Sequence, residues 1–316
     1  ADGHPAVWRH ATNGAWSLVS AAALGGLTGH LTSVAQGPSG WLAVGSMNAG
    51  GTMNTSGTMN TSGTVQPVVL GSPDGVTWTP LPALTSLAGS NAQFLGVAAG
   101  SGGYLVVGKQ GSGSKERAAF WWSSDLKNWV SASGMGAPAY AAAAVAMNGG
   151  FIAVGAMANC HTIWLSSDGQ HWTEHDLAKP DGATTASLRS VAAGPGGRFV
   201  AAGFATGSAG DIPIVVSSAD GGVHVTQSVL SAPHGPATVT AVTATSSGFV
   251  AAGLVGAGKA QRAVEWTSPD GVTWSAATPV NAAGTDQITA LTDAGGTLTG
   301  TAQRGTGPSV VTVPAK

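Results

Sequence analysis

Five copies of one short motif, spaced about 50 residues apart, constrain this chain more than any other feature it carries. They read Ser-Pro-Asp-Gly-Val-Thr-Trp at Ser72–Trp78, Ser-Ser-Asp-Leu-Lys-Asn-Trp at Ser123–Trp129 and Ser-Ser-Asp-Gly-Gln-His-Trp at Ser166–Trp172. Ser-Ala-Asp-Gly-Gly-Val-His-Val follows at Ser218–Val225, and Ser-Pro-Asp-Gly-Val-Thr-Trp returns at Ser268–Trp274. A recurrence of this length implies one supersecondary unit, copied, with each copy burying its apolar face against the next. No linker interrupts the series, so residues 1–316 are expected to form a single domain.

Each copy has the same parts. A strand of small residues comes first: Leu31–Ala35, Phe94–Ala98, Ala142–Ala146, Leu188–Ala192, Val239–Thr243 and Ile288–Thr292. Its third position is Ser33, Gly96, Ala144, Ser190, Ala241 or Ala290, never a large residue, which predicts that these strands crowd together around an axis. After a Gly-rich turn, the second strand is almost wholly apolar: Trp41–Gly45, Tyr104–Gly108, Phe151–Gly155, Phe199–Gly203 and Phe249–Gly253, with a degenerate sixth copy at Thr297–Thr301. Such runs are buried on both faces. The third strand ends in the Ser-x-Asp step, and the fourth is expected to begin at the Trp. Asp and Gly between two β runs are hairpin chemistry.

Short antiparallel strands repeated in this way predict an all-β fold, a β-propeller of six four-stranded blades, with seven as the alternative count. The N-terminal hairpin, around Ala6–His10 and Ala15–Val19, is expected to complete the last pair, Gln287–Thr301, and so close the ring. Ser309–Val313 resembles a surplus third strand that could add to the seam blade.

Composition narrows the function classes. Charged residues make up only 8% of the chain against about 25% in an ordinary domain, so Ser, Thr, Gly, Ala and Asn must form most of the surface. A net charge of −2 gives no field to attract nucleic acid or anionic lipid. No run approaches the ~18–20 apolar residues of a membrane span, so no membrane insertion is expected. The start at Ala1-Asp2 reads as a mature end left by signal-peptide cleavage, and scarce Lys and Glu suit an exported bacterial protein. The single cysteine, Cys160, cannot form an internal disulfide.

The Ser-x-Asp…Trp hairpins resemble Asp-box (BNR) repeats of sialidase-like β-propellers, over nearly the whole chain from Val7 to Thr301. Most copies are one residue shorter than the pattern S-x-D-x-G-x-T-W. Ser218–Val225 keeps the longer spacing without the Trp, and Asn13-Gly14-Ala15-Trp16 looks like a worn sixth copy. The resemblance implies that Asp74, Asp125, Asp168, Asp220 and Asp270 are turn-formers on the face opposite the ligand site. For a sialidase it also implies an Arg cluster, a Tyr–Glu pair and an acid Asp, and these are not matched. Tyr104 fills a second-strand core slot, Glu116, Glu174 and Glu265 lack the setting, and no Arg-Ile-Pro opening precedes the first repeat.

Other chemistry is weakly signalled. A glycosidase needs two carboxylates about 5–10 Å apart, and the loop candidates Asp176, Asp181, Asp211 and Asp286 share no local motif. His171 and His175 on one strand would stand about 13 Å apart, too far for one metal. Most tryptophans recur at equivalent positions, which marks them as plugs between blades; Trp122 alone lacks a counterpart.

The loops joining second to third and fourth to first strands carry much of the scarce charge on a fixed frame. Arg117, Arg262, His161, His175, Asp176, Asp181 and Trp122 are therefore the candidate ligand-binding residues. The expected function is a secreted, non-catalytic binding propeller recognising an extracellular glycan or protein; the alternative is a carbohydrate-active hydrolase or lyase using loop carboxylates. No catalytic residue, metal or cofactor is assigned. The Asn/Thr/Ser/Gly hexads of Met47–Thr64 cannot form a core and are expected to lie outside the first blade as an inserted loop, residues 48–65.

Overall fold

A strand that is apolar on both faces needs neighbours on both edges, and the second strand of each repeat is paired on both edges within its sheet. The computed structural model describes residues 7–10, 16–20, 24, 29–49, 64–89, 91–132, 136, 138–232, 235–258, 261–280, 287–293, 298–304 and 307–313. The hexad expectations between Ala49 and Thr64, and those for Asn13 and Asp286, lie outside the described residues.

The chain groups into two compact units, one of Ala1–Phe151 with Ser166–Thr173 and one of Ile152–Leu165 with Glu174–Lys316. In the first, a hairpin of β1 (Trp8–His10) and β2 (Trp16–Leu18) precedes a sheet of β3 (His30–Gly37), β4 (Gly40–Ala49), β5 (Thr64–Ser72) and β6 (Thr79–Pro80). After a short helix, α1 (Pro82–Ala88), come β7 (Ala92–Gly100), β8 (Gly103–Gln110), β9 (Arg117–Ser123) and β10 (Val130–Ala132). The unit boundary falls within the next sheet, β11 (Ala139–Met147), β12 (Gly150–Met157), β13 (Cys160–Ser166) and β14 (Thr173–Asp176). The second unit continues with β15 (Ala183–Ala193), β16 (Phe199–Gly207), β17 (Gly210–Ser218) and β18 (Thr226–Val229). Its next sheet is β19 (Ala237–Thr245), β20 (Gly248–Val255), β21 (Arg262–Ser268) and β22 (Thr278–Pro279). The last is β23 (Gln287–Asp293), β24 (Leu298–Arg304) and β25 (Gly307–Val313). Among the described residues these make five four-stranded sheets, one three-stranded and one two-stranded, each with its strands in chain order. No helix among them is long and apolar enough to cross a membrane.

The first strands crowd as expected. A Cβ added at Gly96 would meet the Cα of Ala143 at 3.0 Å, so β7 and β11 approach backbone to backbone. Hydroxyls join neighbours of this kind. Thr32 donates to the carbonyls of Val44 in its own sheet and Phe94 in the next, at 3.1 and 3.2 Å. Thr240 does the same for Ala252 and Ile288. Ser33 accepts from the Val97 N–H at 3.2 Å, and Ser190 from the Val242 N–H at 3.0 Å.

These threonines stand at a β-bulge. It interrupts the register between Leu31 and Ser33, Phe94 and Gly96, Leu188 and Ser190, Val239 and Ala241, and Ile288 and Ala290. The extra residue pushes a carbonyl toward the partner strand. Gly45, Gly108, Gly203 and Gly253 face those carbonyls (His30, Gln93, Ser187 and Thr238) with no room for a Cβ. That contact explains the glycine closing these four apolar second strands.

Three tryptophans of one register, Trp121, Trp164 and Trp266, are fully buried, and Trp172 stacks on Phe120 with ring centroids 4.4 Å apart. Tyr104 is likewise core; its hydroxyl donates to Gly40 O and accepts from Ser39 N–H in the preceding sheet. Among the tryptophans whose side chains are described, Trp8 alone is exposed, at 38%.

Several expectations need correcting. The fourth strands do not begin at the Trp: β6, β10 and β14 begin one residue later, at Thr79, Val130 and Thr173, and β22 only at Thr278. The indole instead closes the turn, donating back to the carbonyl of Gly75, Leu126, Gly169 or Gly271. The third-strand place beside β24 belongs to β25, with Leu298 opposite Val313 and Arg304 opposite Gly307, because a chain-adjacent strand closes the smaller loop. The N-terminal hairpin pairs within itself, Trp8 opposite Leu18, and Val7 and Val19 pack with Leu24 against Leu70 and Trp78. Finally, residues 82–88 are helical, started by Pro82 and buried through Leu84 and Ala88 at i and i+4 spacing.

Candidate functional site

The two ends of each repeat differ in chemistry. At one end lie the Ser-x-Asp turns. Ser72, Ser123, Ser166 and Ser268 each accept a hydrogen bond from the backbone N–H three residues on and donate to the Asp two residues on. The Asp carboxylate then accepts two further backbone N–H groups, as Asp125 does from Lys127 and Asn128 at 2.9 and 2.8 Å. The longer copy absorbs its extra residue inside this frame: Ser218 accepts from Gly222, and Asp220 from His224.

Backbone donors therefore hold these carboxyls below their ordinary range. The leading donor is Thr77 for Asp74, Asn128 for Asp125, His171 for Asp168, His224 for Asp220 and Thr273 for Asp270. A carboxyl depressed below its usual 3.8 contributes stability that is complete above that pH and lost as pH falls through the lower folded value. Thermal denaturation followed by circular dichroism should thus show a midpoint that declines below about pH 4. In Asp220→Asn the acid decline should be shallower; an unchanged acid limb would contradict this account of the turns.

Trp122 belongs to this end. Its indole N–H donates to Gly102 O at 2.8 Å, and its ring occupies the space that Gly169, lacking a Cβ, leaves in the next turn. Leu165 fills the same role against Gly222. Trp122 is thus a wedge between sheets, while Arg117 stands at the opposite end of the same strand, β9. Arg117 and Arg262 both open third strands and are exposed, in different units. Beside the first, Lys109 pairs with Glu116 at 2.8 Å.

The second unit brings three of the candidates together. His161, second in β13, is buried rather than in a loop, and its Nε2 lies 2.6 Å from Gln227 Oε1 on β18. Its backbone carbonyl accepts from Leu177 N–H, which ties down the segment after β14. Thr162 donates to Asp176 at 2.8 Å. Burial lowers the His161 pKa, against the opposing Gln227 hydrogen bond and Asp176 charge. Nδ1 has no partner among the described residues, so the single proton of the neutral ring belongs on Nε2, where it meets an acceptor. His175, on β14, is half-buried.

Next to this cluster is a pocket of about 580 Å³ lined by Ala178, Lys179, Pro180, Asp181, Ile212, Gln227, Ser228 and Val229. Lys179 Nζ also approaches Cys160 Sγ at 3.9 Å. Asp181 is the pocket's single carboxylate among the described residues. Other carboxylates of these sheets are engaged elsewhere: Asp211 accepts from Thr206 at 2.8 Å, and Glu174, nearer the Ser-x-Asp end, from the Trp164 indole at 3.0 Å. No group of three or more His, Cys, Asp or Glu among the described residues could hold a metal ion.

Gln227 and Ser228 were not singled out from sequence, because nothing in Thr-Gln-Ser-Val distinguishes them until β18 is compared with the other outer strands. Arg189 was also missed. It takes the bulge position held by Thr32 and Thr240 elsewhere, with its guanidinium 5.3 Å from the centroid of Phe204. A second pocket, about 410 Å³ in the first unit, is lined largely by aliphatic and proline residues including Met47, Pro67, Val69, Leu81 and Pro82.

Small first strands, apolar second strands and antiparallel four-stranded sheets in chain order together make the fold that of a sialidase-like β-propeller, and the sheets correspond to six or seven blades. Among solved structures the chain is similar to Trypanosoma rangeli sialidase in complex with the inhibitor DANA, with TM-score 0.56 and 11% identity over 99% of this chain and 58% of that one. It is similar also to YCF48 bound to D1 peptide, with TM-score 0.53 and 14% identity over 88% of this chain and 80% of that one. The GH74 xyloglucanase from Xanthomonas campestris matches with TM-score 0.52 and 14% identity over 90% of this chain and 45% of its own. No protein-family model matches the sequence, and no curated protein is similar to it.

Proposed function

We propose that this chain is a secreted, non-catalytic six-bladed propeller whose Ser-x-Asp turns are Asp boxes and whose opposite, loop-bearing end binds an extracellular glycan or protein. In this reading the chain is one domain, and Arg117, Arg262, His161, His175, Asp176 and Asp181 belong to or support the binding end. The observation that carries it is the engagement of the carboxylates: Asp176, Asp211 and Glu174 are each held by a donor of their own sheet. A glycoside hydrolase needs two carboxylates facing across about 5–10 Å, and among the described residues the pocket in the second unit is lined by one carboxylate, Asp181, and by Lys179.

The second reading, a carbohydrate-active hydrolase or lyase, is favoured by the sialidase and xyloglucanase among the similar folds. YCF48, bound to D1 peptide, supports the binding reading to the same degree. A glycan array and a pull-down from culture supernatant, run beside a panel of chromogenic glycosides, separate the two. Retention of a glycan or protein without turnover is expected. Turnover abolished by Asp181→Asn would replace this reading with the hydrolytic one.

A further inference from the structure

The outer strands of the sheets differ in how they protect their open edges. Two of them, β6 and β22, are only two residues long and end in Pro80 and Pro279. Three uncharged residues make up β10, while β14 has four but carries Glu174, His175 and Asp176. β18, Thr-Gln-Ser-Val, has four residues with neither charge nor proline. Short length, charge and proline are the usual guards against edge pairing; β10 and β18 both lack the last two, and β18 is the longer.

Its register shows which backbone groups face outward. Leu230 N–H bonds to Pro213 O across from β17, and Val215 lies opposite Ser228. Because backbone groups alternate sides along a strand, Ser228 and Thr226 face β17 while Gln227 and Val229 point their N–H and C=O away from it. Both outward residues line the 580 Å³ pocket, and Val229 is 54% exposed. With Gln227 Oε1 accepting from His161, the Gln227 amide has only N–H donors left to offer.

We propose that β18 takes an extended peptide segment of a partner protein as an added strand, with Lys179 and Asp181 setting which charges that segment carries. The proposal rests on the binding reading above and narrows it to peptide. The pocket's aliphatic members, Ile212, Pro180, Ala178 and Val229, suit alternate side chains of a strand, and none offers the aromatic face on which a sugar ring stacks. Lys179 favours an acidic side chain and Asp181 a basic one, so the matching segment carries both signs on an otherwise apolar stretch.

The test pans a phage-displayed library of random dodecapeptides on the full chain and measures selected peptides by fluorescence anisotropy. Selected sequences should pair an acidic and a basic residue, and Val229→Pro should weaken them about tenfold, since it removes an outward N–H without touching the β17 ladder. Lys179→Glu with Asp181→Lys should invert the selected charges. If Val229→Pro fails to fold, peptides N-methylated at alternate residues decide on the unaltered protein: one phase should abolish binding and the other leave it intact. Equal binding by both phases, or no selected peptide, overturns the proposal. A glycan-array signal lost in Lys179→Glu would also overturn it, assigning the pocket to carbohydrate while leaving the broader binding reading in place.

Discussion

Replacing Trp266 with alanine is expected to lower the unfolding free energy by about 3–5 kcal/mol. The indole is fully buried among Val200, Val215, Leu230 and Phe249, and its N–H donates to Ser231 O at 2.9 Å. Truncation therefore opens a cavity and strips a carbonyl of its donor at once. Trp8, more than a third exposed, should cost under about 1 kcal/mol in the same urea titration, in line with surface substitutions generally. Equal losses at the two positions would refute the assignment of the repeated tryptophans as wedges.

Gly253→Ala should destabilise by about 1–3 kcal/mol, although it adds a single methyl group. The methyl would land on the Thr238 carbonyl oxygen, which the bulge at Thr240 directs toward β20. Backbone, unlike a side-chain tip, cannot swing aside. Gly203→Ala should behave alike against Ser187 O. The three-stranded sheet already pairs Ala302 with Ile288 at this register, and Ala302→Gly there should change stability by no more than about 1 kcal/mol. Urea denaturation of the three variants checks the series; a neutral Gly253→Ala would mean that the bulge does not restrict its partner strand.

The inner half of each repeat was legible because packing writes directly into composition there. Strands that crowd must be small, as Ser33, Gly96 and Ser190 are, and strands buried on both faces must be apolar, as Tyr104–Gly108 is. The outer half was harder to read. An indole that ends a turn and one that starts a strand have the same neighbours in sequence, so Trp78 and Trp129 gave no sign of which they were. His161 comes two residues after Asn159 in the preceding turn, at the very start of a third strand, and only the packing of β13 reveals that its ring points inward. Trp122 misled for the opposite reason. It is unique in sequence because Gly169 leaves room for it, and uniqueness born of packing looks the same as uniqueness born of ligand recognition.

The hydroxyl joints between neighbouring first strands bear on how such a chain grows. The donor, Thr32 or Thr240, sits at the bulge of one copy, and the acceptor, Phe94 O or Ile288 O, sits just before the bulge of the next. A module with threonine at its bulge, such as those of Thr32 and Thr240, therefore carries both its own plug and its own socket. Copying such a module would carry the same joint to its new boundary, whereas a copy built like Arg189's would bring no hydroxyl there.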